Sequence, residues 1–363
     1  MHYLEPLAIR RLFSSRWLLT AVWACICVCV GTVGCRRQVS LPSMQVIAGR
    51  TMGTTYSIKF YPSATVNDLP QVSRAVEAEL EQVNSQMSTY LTTSEVSRFN
   101  SQTSLDWFSV SRQTAEVVQL SLQLTEQTNG AFDVTVGPLV NLWGFGPEPR
   151  PQQIPSAEEI NAILQWIGAD KLSARLEPPA LKKSYPKLQV DLSAIAKGHG
   201  VDRVAEVLES LHVTSYFVEI GGEVRTKGHK PGGEKWQVGI ERPTPDQRSV
   251  ERVLPLSDRS LATSGNYRNY YILDGRNYSH TINPKTGYPI EDPIASASVV
   301  ADNCALADGI ATGMMSAGYE AGLALAEKHG WCVFLIKPKP IEPNLEGGFE
   351  TIESTRFKAE FAP

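Results

Sequence analysis

The sequence predicts an α+β fold, and three observations carry that prediction. Across the first half, apolar residues return every three or four positions, the period of amphipathic helices. The second half turns to short alternating runs of the kind that form strands. With 363 residues and 42% of them hydrophobic, the chain can bury one large core or two modest ones. Its net charge of −4 gives no basic surplus for binding nucleic acid.

The N-terminus reads as an address. Arg10, Arg11 and Arg16 precede an apolar run from Trp17 to about Val33, and Gly34-Cys35 follows. A basic region, an apolar stretch and small residues before a cysteine form a bacterial lipoprotein signal, with Cys35 as the lipidated first residue of the mature chain. Thr32 departs from that pattern, standing where an aliphatic residue is usual. The alternative is an uncleaved anchor, since about eighteen apolar residues can just span a bilayer. Either way the body is exported and tethered, on the periplasmic side of a bacterial membrane. Arg36 does not decide which membrane; the inner one is the expectation. Cys25, Cys27 and Cys29 lie within the signal, which leaves Cys304 and Cys332 in the body. These two can form a bridge or remain separate buried thiols.

Residues 35–45 are expected to be a tether. Thr54 to Tyr61 alternates as a strand, and Leu69, Val72, Val76, Leu80, Val83 and Met87 mark one face of a helix. Ser94 caps a short helical turn through Phe99, and a helix over about 113–128 stops at Asn129-Gly130. The loop Leu142-Trp-Gly-Phe-Gly-Pro147 either packs at a turn or edges a planar ligand's pocket. Ser156 and Glu159 form a capping box ahead of Ile160, Ile163, Leu164 and Ile167. Lys187 to Val190 reads as a short strand, followed by a helix over 200–211. Strands are expected at 216–225, 236–241, 261–266, 270–273, 278–282, 294–301 and 331–337. Helices are expected at 303–317 and 319–329, and a loosely attached tail from 341. The Gly221-Gly222 pair inside the first of these strands suggests a bulge or a close approach to a ligand.

Three stretches can carry chemistry. Asp191-Leu-Ser-Ala-Ile-Ala-Lys-Gly-His-Gly200 runs from a strand-like segment into a helix. Unpaired backbone N–H groups at such a start favour an anion, and Lys197 adds a cation. Its glycine spacing fits neither a Walker A loop nor a dinucleotide fingerprint, and an ordinary capped loop is the other reading. On the helix 303–317, Leu306, Ile310, Gly313, Met314 and Ala317 share the core side. Asp308 and Thr312 share the opposite one. A carboxylate and hydroxyl so placed make half of a Mg²⁺ site, or else simply a solvated polar face. His280 ends a strand before Asn283-Pro284 and is either a base or a structural residue, with His199 a weaker candidate. Together these pieces suggest a pyrophosphate site for a nucleotide with a flat ring system.

Eight segments in order resemble the ApbE family of FAD:protein FMN transferases. They begin with Thr51-Met-Gly-Thr-Thr-Tyr56, then Met87-Ser-Thr-Tyr90 with Ser94-Glu-Val-Ser-Arg-Phe-Asn100, then Gly130-Ala-Phe-Asp-Val-Thr-Val-Gly-Pro138. Asp191-Leu-Ser-Ala-Ile-Ala-Lys-Gly198, Ile220-Gly-Gly-Glu223 and Ala262-Thr-Ser-Gly265 follow. His280-Thr-Ile-Asn-Pro-Lys-Thr-Gly287 and Ala307-Asp-Gly-Ile-Ala-Thr312 complete the series. The resemblance spans about 51–337 and implies a two-lobed α+β domain at 46–340, with mostly antiparallel sheets flanked by helices and FAD in the cleft between the lobes.

It also implies roles. Met52, Tyr90, Ala131, Phe132, Asp133, Asp191, Lys197 and Ile282 correspond to flavin-contacting positions. Asp308, Thr312 and the main-chain carbonyl of Ala194 correspond to Mg²⁺ ligands, and His280 to the base. Ala311 stands where some members carry a second carboxylate, so one Mg²⁺ is expected. The implied reaction joins FMN through a phosphoester to a Thr or Ser of an exported or membrane redox protein and releases AMP, with Lys197 assisting. Two alternatives stay open: an FAD pyrophosphatase using water, and a flavin-binding lipoprotein without activity.

Overall fold

The computed structural model describes residues 43–62, 68–147, 153–244, 249–266, 270–273, 275–290, 294–339 and 348–362. The expected signal peptide at 1–34, Cys35 and most of the tether lie outside the described residues.

Local sequence sets the order of elements. Strands β1 (Gln45–Thr51) and β2 (Thr54–Phe60) form a hairpin whose turn, Met52-Gly53, has positive φ at both residues. Helix α1 (Leu69–Met87) is capped by Asp68 and buries Val72, Val76, Leu80, Val83 and Met87, the expected stripe. Ser94 and Ser111 cap α2 (Glu95–Ser101) and α3 (Arg112–Gln127) by accepting N–H bonds from the first turns. Short α4 (Gly137–Leu142) precedes α5 (Ala157–Leu164), which carries the Ser156/Glu159 capping box. Beside α3, β3 (Phe108–Ser109), β4 (Leu172–Leu176) and β5 (Pro179–Lys183) make a small sheet of order β3-β5-β4.

After α6 (Ala196–Ser210), β6 (Tyr216–Ile220) and β7 (Glu223–Lys227) pair through Gly221-Gly222. Two ribbons follow, β8 (Trp236–Glu241) with β9 (Val250–Leu256) and β11 (Tyr270–Leu273) with β12 (Arg276–Ser279); β10 (Ser260–Gly265) lies between them in sequence. The chain ends with β13 (Ser296–Ala301), α7 (Cys304–Ala317), α8 (Tyr319–His329), β14 (Cys332–Pro338), β15 (Phe349–Glu353) and α9 (Thr355–Phe361).

Eight strands join in one sheet, in the order β1-β2-β6-β7-β10-β13-β14-β15. Each of its pairings is antiparallel. Both faces are covered, so the period of two sends alternate residues into different cores. On one face Ala262, Ala297, Val299, Val333 and Leu335 meet Ile310 and Met314 of α7, with Leu124 and Phe132 in the same cluster. On the other, Leu261, Val300, Phe334 and Ile336 meet the β8–β9 ribbon and Phe357 of α9. Helices α1 and α6 close the β1-β2-β6 end over Ile58, Phe60, Val218 and Ile220.

Several expectations need correction. Residues 187–190 are not a strand; instead the Asn100 side chain donates to Val190 O (2.9 Å) and accepts Val190 N–H (2.7 Å), replacing strand pairing by one amide. The glycine pair is a two-residue hairpin turn, with φ of 63° and 105°, rather than a bulge in one strand. Gln45, placed in the tether, is the first residue of β1. The tail is not loose at 349–361: β15 pairs with β14, and Phe357 is fully buried against Phe334 and Phe361. Residues 340–347, also assigned to the tail or its approach, lie outside the described residues. Cys304 and Cys332 are separate buried thiols, which settles that alternative.

Candidate active site

The helix α6 begins at Ala196, four residues before the expected start, so Lys197 and Gly198 sit in its first turn. Most of its early N–H groups are already bonded within the protein. Ile195 and Ala196 N–H both bond Leu192 O, His199 N–H bonds Ile195 O, and Gly198 N–H donates to Asp308 Oδ2 (3.0 Å). The negative charge that this helix start attracts is therefore the protein's own carboxylate.

That carboxylate belongs to α7, and its surroundings rule out the alternative of a solvated polar face. α7 is buried nearly all round, and Asp308 is 2% exposed. Asp202 caps its N-terminus by accepting Cys304 and Ala305 N–H (2.9 Å each), and Arg225 pairs with Asp202 (2.7 Å). The helix glycines have a packing reason. A Cβ at Gly309 would meet Leu124 Cδ1 at 2.4 Å, and one at Gly313 would meet Thr128 Cγ2 at 2.9 Å. Gly198 allows the crossing with α6, because a Cβ there would stand 2.4 Å from Cys304 O.

Asp308 faces a cavity of about 450 Å³. Tyr90, Ala131, Phe132, Asp133, Asp191, Ala194, Lys197, His280, Ile282, Asp308 and Thr312 all line it. The structure thus gathers every residue given a role by the resemblance but one, from segments more than 200 positions apart. Met52 is the exception. It lines a neighbouring cavity of about 870 Å³ that shares Thr89, Tyr90, Ser193 and Lys197 with the first. His199 lines neither; it is buried behind the helix start, and burial pushes its imidazole down to about 4.

The floor of the cavity is charged. Lys197 Nζ lies 2.9 Å from Glu223 Oε1 and 3.7 Å from Asp308 Oδ1, and both carboxylates are almost fully buried. Burial opposes the Lys197 ammonium, but Asp308 and Glu223 outweigh it and hold it above its ordinary value. Burial pushes the Glu223 carboxyl up to about 7 against the pull of Lys197, and raises Asp308 in the same way. Beside them, Thr312 Oγ1 and Ser264 Oγ lie 3.1 Å apart.

The walls are apolar and aromatic. Tyr90, Phe132 and Phe145 line the cavity. Behind Phe145, Tyr271, Tyr278 and Trp143 continue a stack at centroid distances of 5.2, 5.5 and 5.6 Å, and His280 packs edge-on with Phe145 at 6.4 Å. The loop 142–147 packs at a turn and also borders the cavity. Trp143 packs at 1% exposure and donates to Gly287 O (2.8 Å), while Phe145, Gly146 and Pro147 line the cavity. Asp133 holds its own loop: its carboxylate accepts from Thr135 N–H (2.8 Å), Thr135 Oγ1 (2.7 Å) and Ala169 N–H (3.1 Å). Asp191 likewise accepts from Ser193 N–H (2.9 Å), shaping the turn that carries Ala194.

Sequence reasoning missed Glu223 and Ser264 as site residues. Both stood within quoted motifs, and an acidic residue directly after a two-glycine turn was the available signal for Glu223. Among the described residues no three of His, Cys, Asp and Glu cluster as a metal cage. The carboxylate of Asp308 with the hydroxyl of Thr312 is an all-oxygen set, too small to enclose a cation. It suits Mg²⁺, which keeps waters and takes substrate phosphate oxygens.

Fold and site define a class: an antiparallel α+β protein whose cleft sets an aromatic wall over an ammonium–carboxylate floor. The chain belongs to the ApbE family, whose model matches residues 52–335. A FAD:protein FMN transferase of Vibrio cholerae is 46% identical over 326 residues, 90% of this chain and 94% of its own. One from Haemophilus influenzae is 41% identical, over 92% and 95% respectively. The solved flavin transferase ApbE from Vibrio cholerae superposes with a TM-score of 0.79 at 45% identity, covering 88% of this chain and 99% of that one. The apo flavinyl transferase ApbE of Pseudomonas stutzeri gives 0.81 at 37% identity, covering 90% and 99%.

Proposed function

We propose that this chain is a Mg²⁺-dependent FAD:protein FMN transferase, exported and held at the periplasmic face of the membrane by a lipid on Cys35. The observation that carries the reaction is the Lys197–Asp308–Glu223 cluster on the floor of a cavity with an aromatic wall. Phe132, Val136, Val140, Phe145 and Ile282 offer apolar surface for a flat ring, and the Lys197 ammonium offers charge for a diphosphate. Mg²⁺, held by Asp308, Thr312 and the Ala194 carbonyl, would supply further positive charge to that diphosphate.

In this scheme His280 takes the proton of an acceptor Thr or Ser hydroxyl. The hydroxyl oxygen bonds to the FMN-side phosphorus, and the bond from that phosphorus to the bridging oxygen breaks. AMP leaves with the bridging oxygen, its charge opposed by Lys197. The acceptor is a membrane redox subunit presenting the hydroxyl on an exposed segment. The basic residues at 10–16, the apolar run and Gly34-Cys35 support the lipid anchor.

The test is co-incubation with FAD, Mg²⁺ and a candidate redox subunit, with mass spectrometry for FMN on Thr or Ser and an assay for AMP. Asp308→Ala is expected to lose transfer by at least about a hundredfold while keeping its circular dichroism. Undiminished transfer by that variant without Mg²⁺ would defeat the proposal. Rapid release of FMN and AMP from FAD and Mg²⁺ alone would assign a hydrolase instead.

A further inference from the structure

The reaction above places Glu223 in the charged cluster but gives it no step of its own. The turn folds back tightly enough that a Cβ on Gly221 would stand 2.9 Å from Thr54 Cγ2, and it delivers Glu223 as the first residue of β7. Glu223 is 2% exposed and lines the cavity, an uncommon place for a carboxylate unless it is paired. Its Oε1 takes Lys197 Nζ at 2.9 Å, and its Oε2 has no hydrogen-bond partner. Asp308 Oδ1 sits 3.7 Å from the same ammonium, beyond hydrogen-bond reach, while Asp308 Oδ2 is occupied by Gly198 N–H.

One ammonium thus stands between two buried carboxylates and is bonded to only one of them. We propose that Glu223 is a positioning residue that draws Lys197 away from Asp308, keeping Asp308 Oδ1 open to a divalent cation. Without Glu223 the ammonium would close on Asp308 as a direct ion pair and compete for the place the cation needs. With it, Lys197 stays beside the cation as a second positive charge for a phosphate oxygen. The inference rests on the proposed function only in taking Asp308 as a cation ligand.

The test reads cation binding without turnover. Mn²⁺ uptake by the detergent-solubilised full chain is followed by electron paramagnetic resonance, with and without FAD. Four chains are compared: wild type, Glu223→Met, Lys197→Met and the double variant. Closing the ammonium from 3.7 Å to contact corresponds to about tenfold weaker Mn²⁺ binding in Glu223→Met at an effective dielectric near 20. Lys197→Met is expected to restore most of that loss in the double variant, and to raise affinity by a clearly smaller factor in the wild-type background, where the ammonium does not occupy the cation's place. A simple field effect would instead give Lys197→Met the same factor in both backgrounds, and that result overturns the inference. Glu223→Gln, which keeps the acceptor oxygen, is expected to fall between wild type and Glu223→Met. It carries the test if the Met variant fails to fold, and wild-type Mn²⁺ affinity in Glu223→Gln then overturns the inference. A wild type that takes up no Mn²⁺ also overturns it, whereas one that binds Mn²⁺ but transfers no FMN defeats the functional reading alone.

Discussion

Gly198→Ala is the sharpest perturbation the structure offers, because local and tertiary effects point in opposite directions. Gly198 lies in the first turn of α6 with ordinary helical backbone, so alanine there should gain about 1 kcal/mol of helix propensity. The tertiary structure forbids the gain. The new methyl would stand 2.4 Å from Cys304 O, 2.7 Å from Cys304 C and 2.8 Å from Asp308 Cβ. The obstacle is backbone, which cannot rotate aside, so the overpacking cost belongs near the top of the usual range, at about 3 kcal/mol. The net expectation is a loss of about 2 kcal/mol, read as a lower urea midpoint. Separation of the helices also stretches the Gly198 N–H bond to Asp308 and moves that carboxylate relative to Lys197. A displacement of about 1 Å at such a site costs on the order of a hundredfold in rate. Gly322→Ala is the internal control: it lies in α8, and its nearest neighbour, Met314 O, would be 3.4 Å away. It should be neutral or stabilising by up to about 1 kcal/mol. If Gly198→Ala matches wild type in both midpoint and FMN transfer, the helix crossing does not hold the site and the reasoning is wrong.

Other perturbations test the surrounding frame. Burial pushes the Lys183 ammonium down from 10.5 to about 8, although it donates to the carbonyls of Phe99, Asn100 and Leu188. Between those values the folded chain has released a proton that the unfolded chain keeps, so Lys183 adds stability as pH rises from about 8 to 10.5 and loses it below. Comparing urea midpoints at pH 7.5 and 10 should show that Lys183→Met abolishes this increment. Phe357→Ala should cost about 3–5 kcal/mol, since the ring is fully buried under the sheet; a midpoint unchanged from wild type would mean the tail is loose after all. Asn100→Ala leaves both Val190 backbone groups without their partner and should cost about 1–3 kcal/mol, with faster hydrogen exchange at Val190 N–H as the local readout.

Much of the fold was legible because its signals are local. The stripe from Leu69 to Met87, the Ser94 cap and the Ser156/Glu159 box each lie within one or two turns, and the structure contains all three. Strands with little apolar alternation of their own were not legible. Strand β9 carries Val250 and Val253 exposed and forms only by pairing with β8, and β1 needs β2 to be a strand at all. The segment 187–190 alternates like a strand, with Leu188 and Val190 buried, but the Val190 backbone is satisfied by the Asn100 side chain and not by a neighbouring strand.

For the site, the sequence determined which chemical groups are present and in what order, from Met52 through Thr312, and with them the family. It placed Asp308 and Thr312 on one side of a helix, since that follows from 3.6 residues per turn. It could not determine what that side meets. Only the tertiary structure made the face a buried cavity wall, brought Glu223 to Lys197 and set Asp308 Oδ2 on the Gly198 N–H. Periodicity reports the angle between side chains on one helix, whereas burial depends on whichever other segments the long-range packing brings against it.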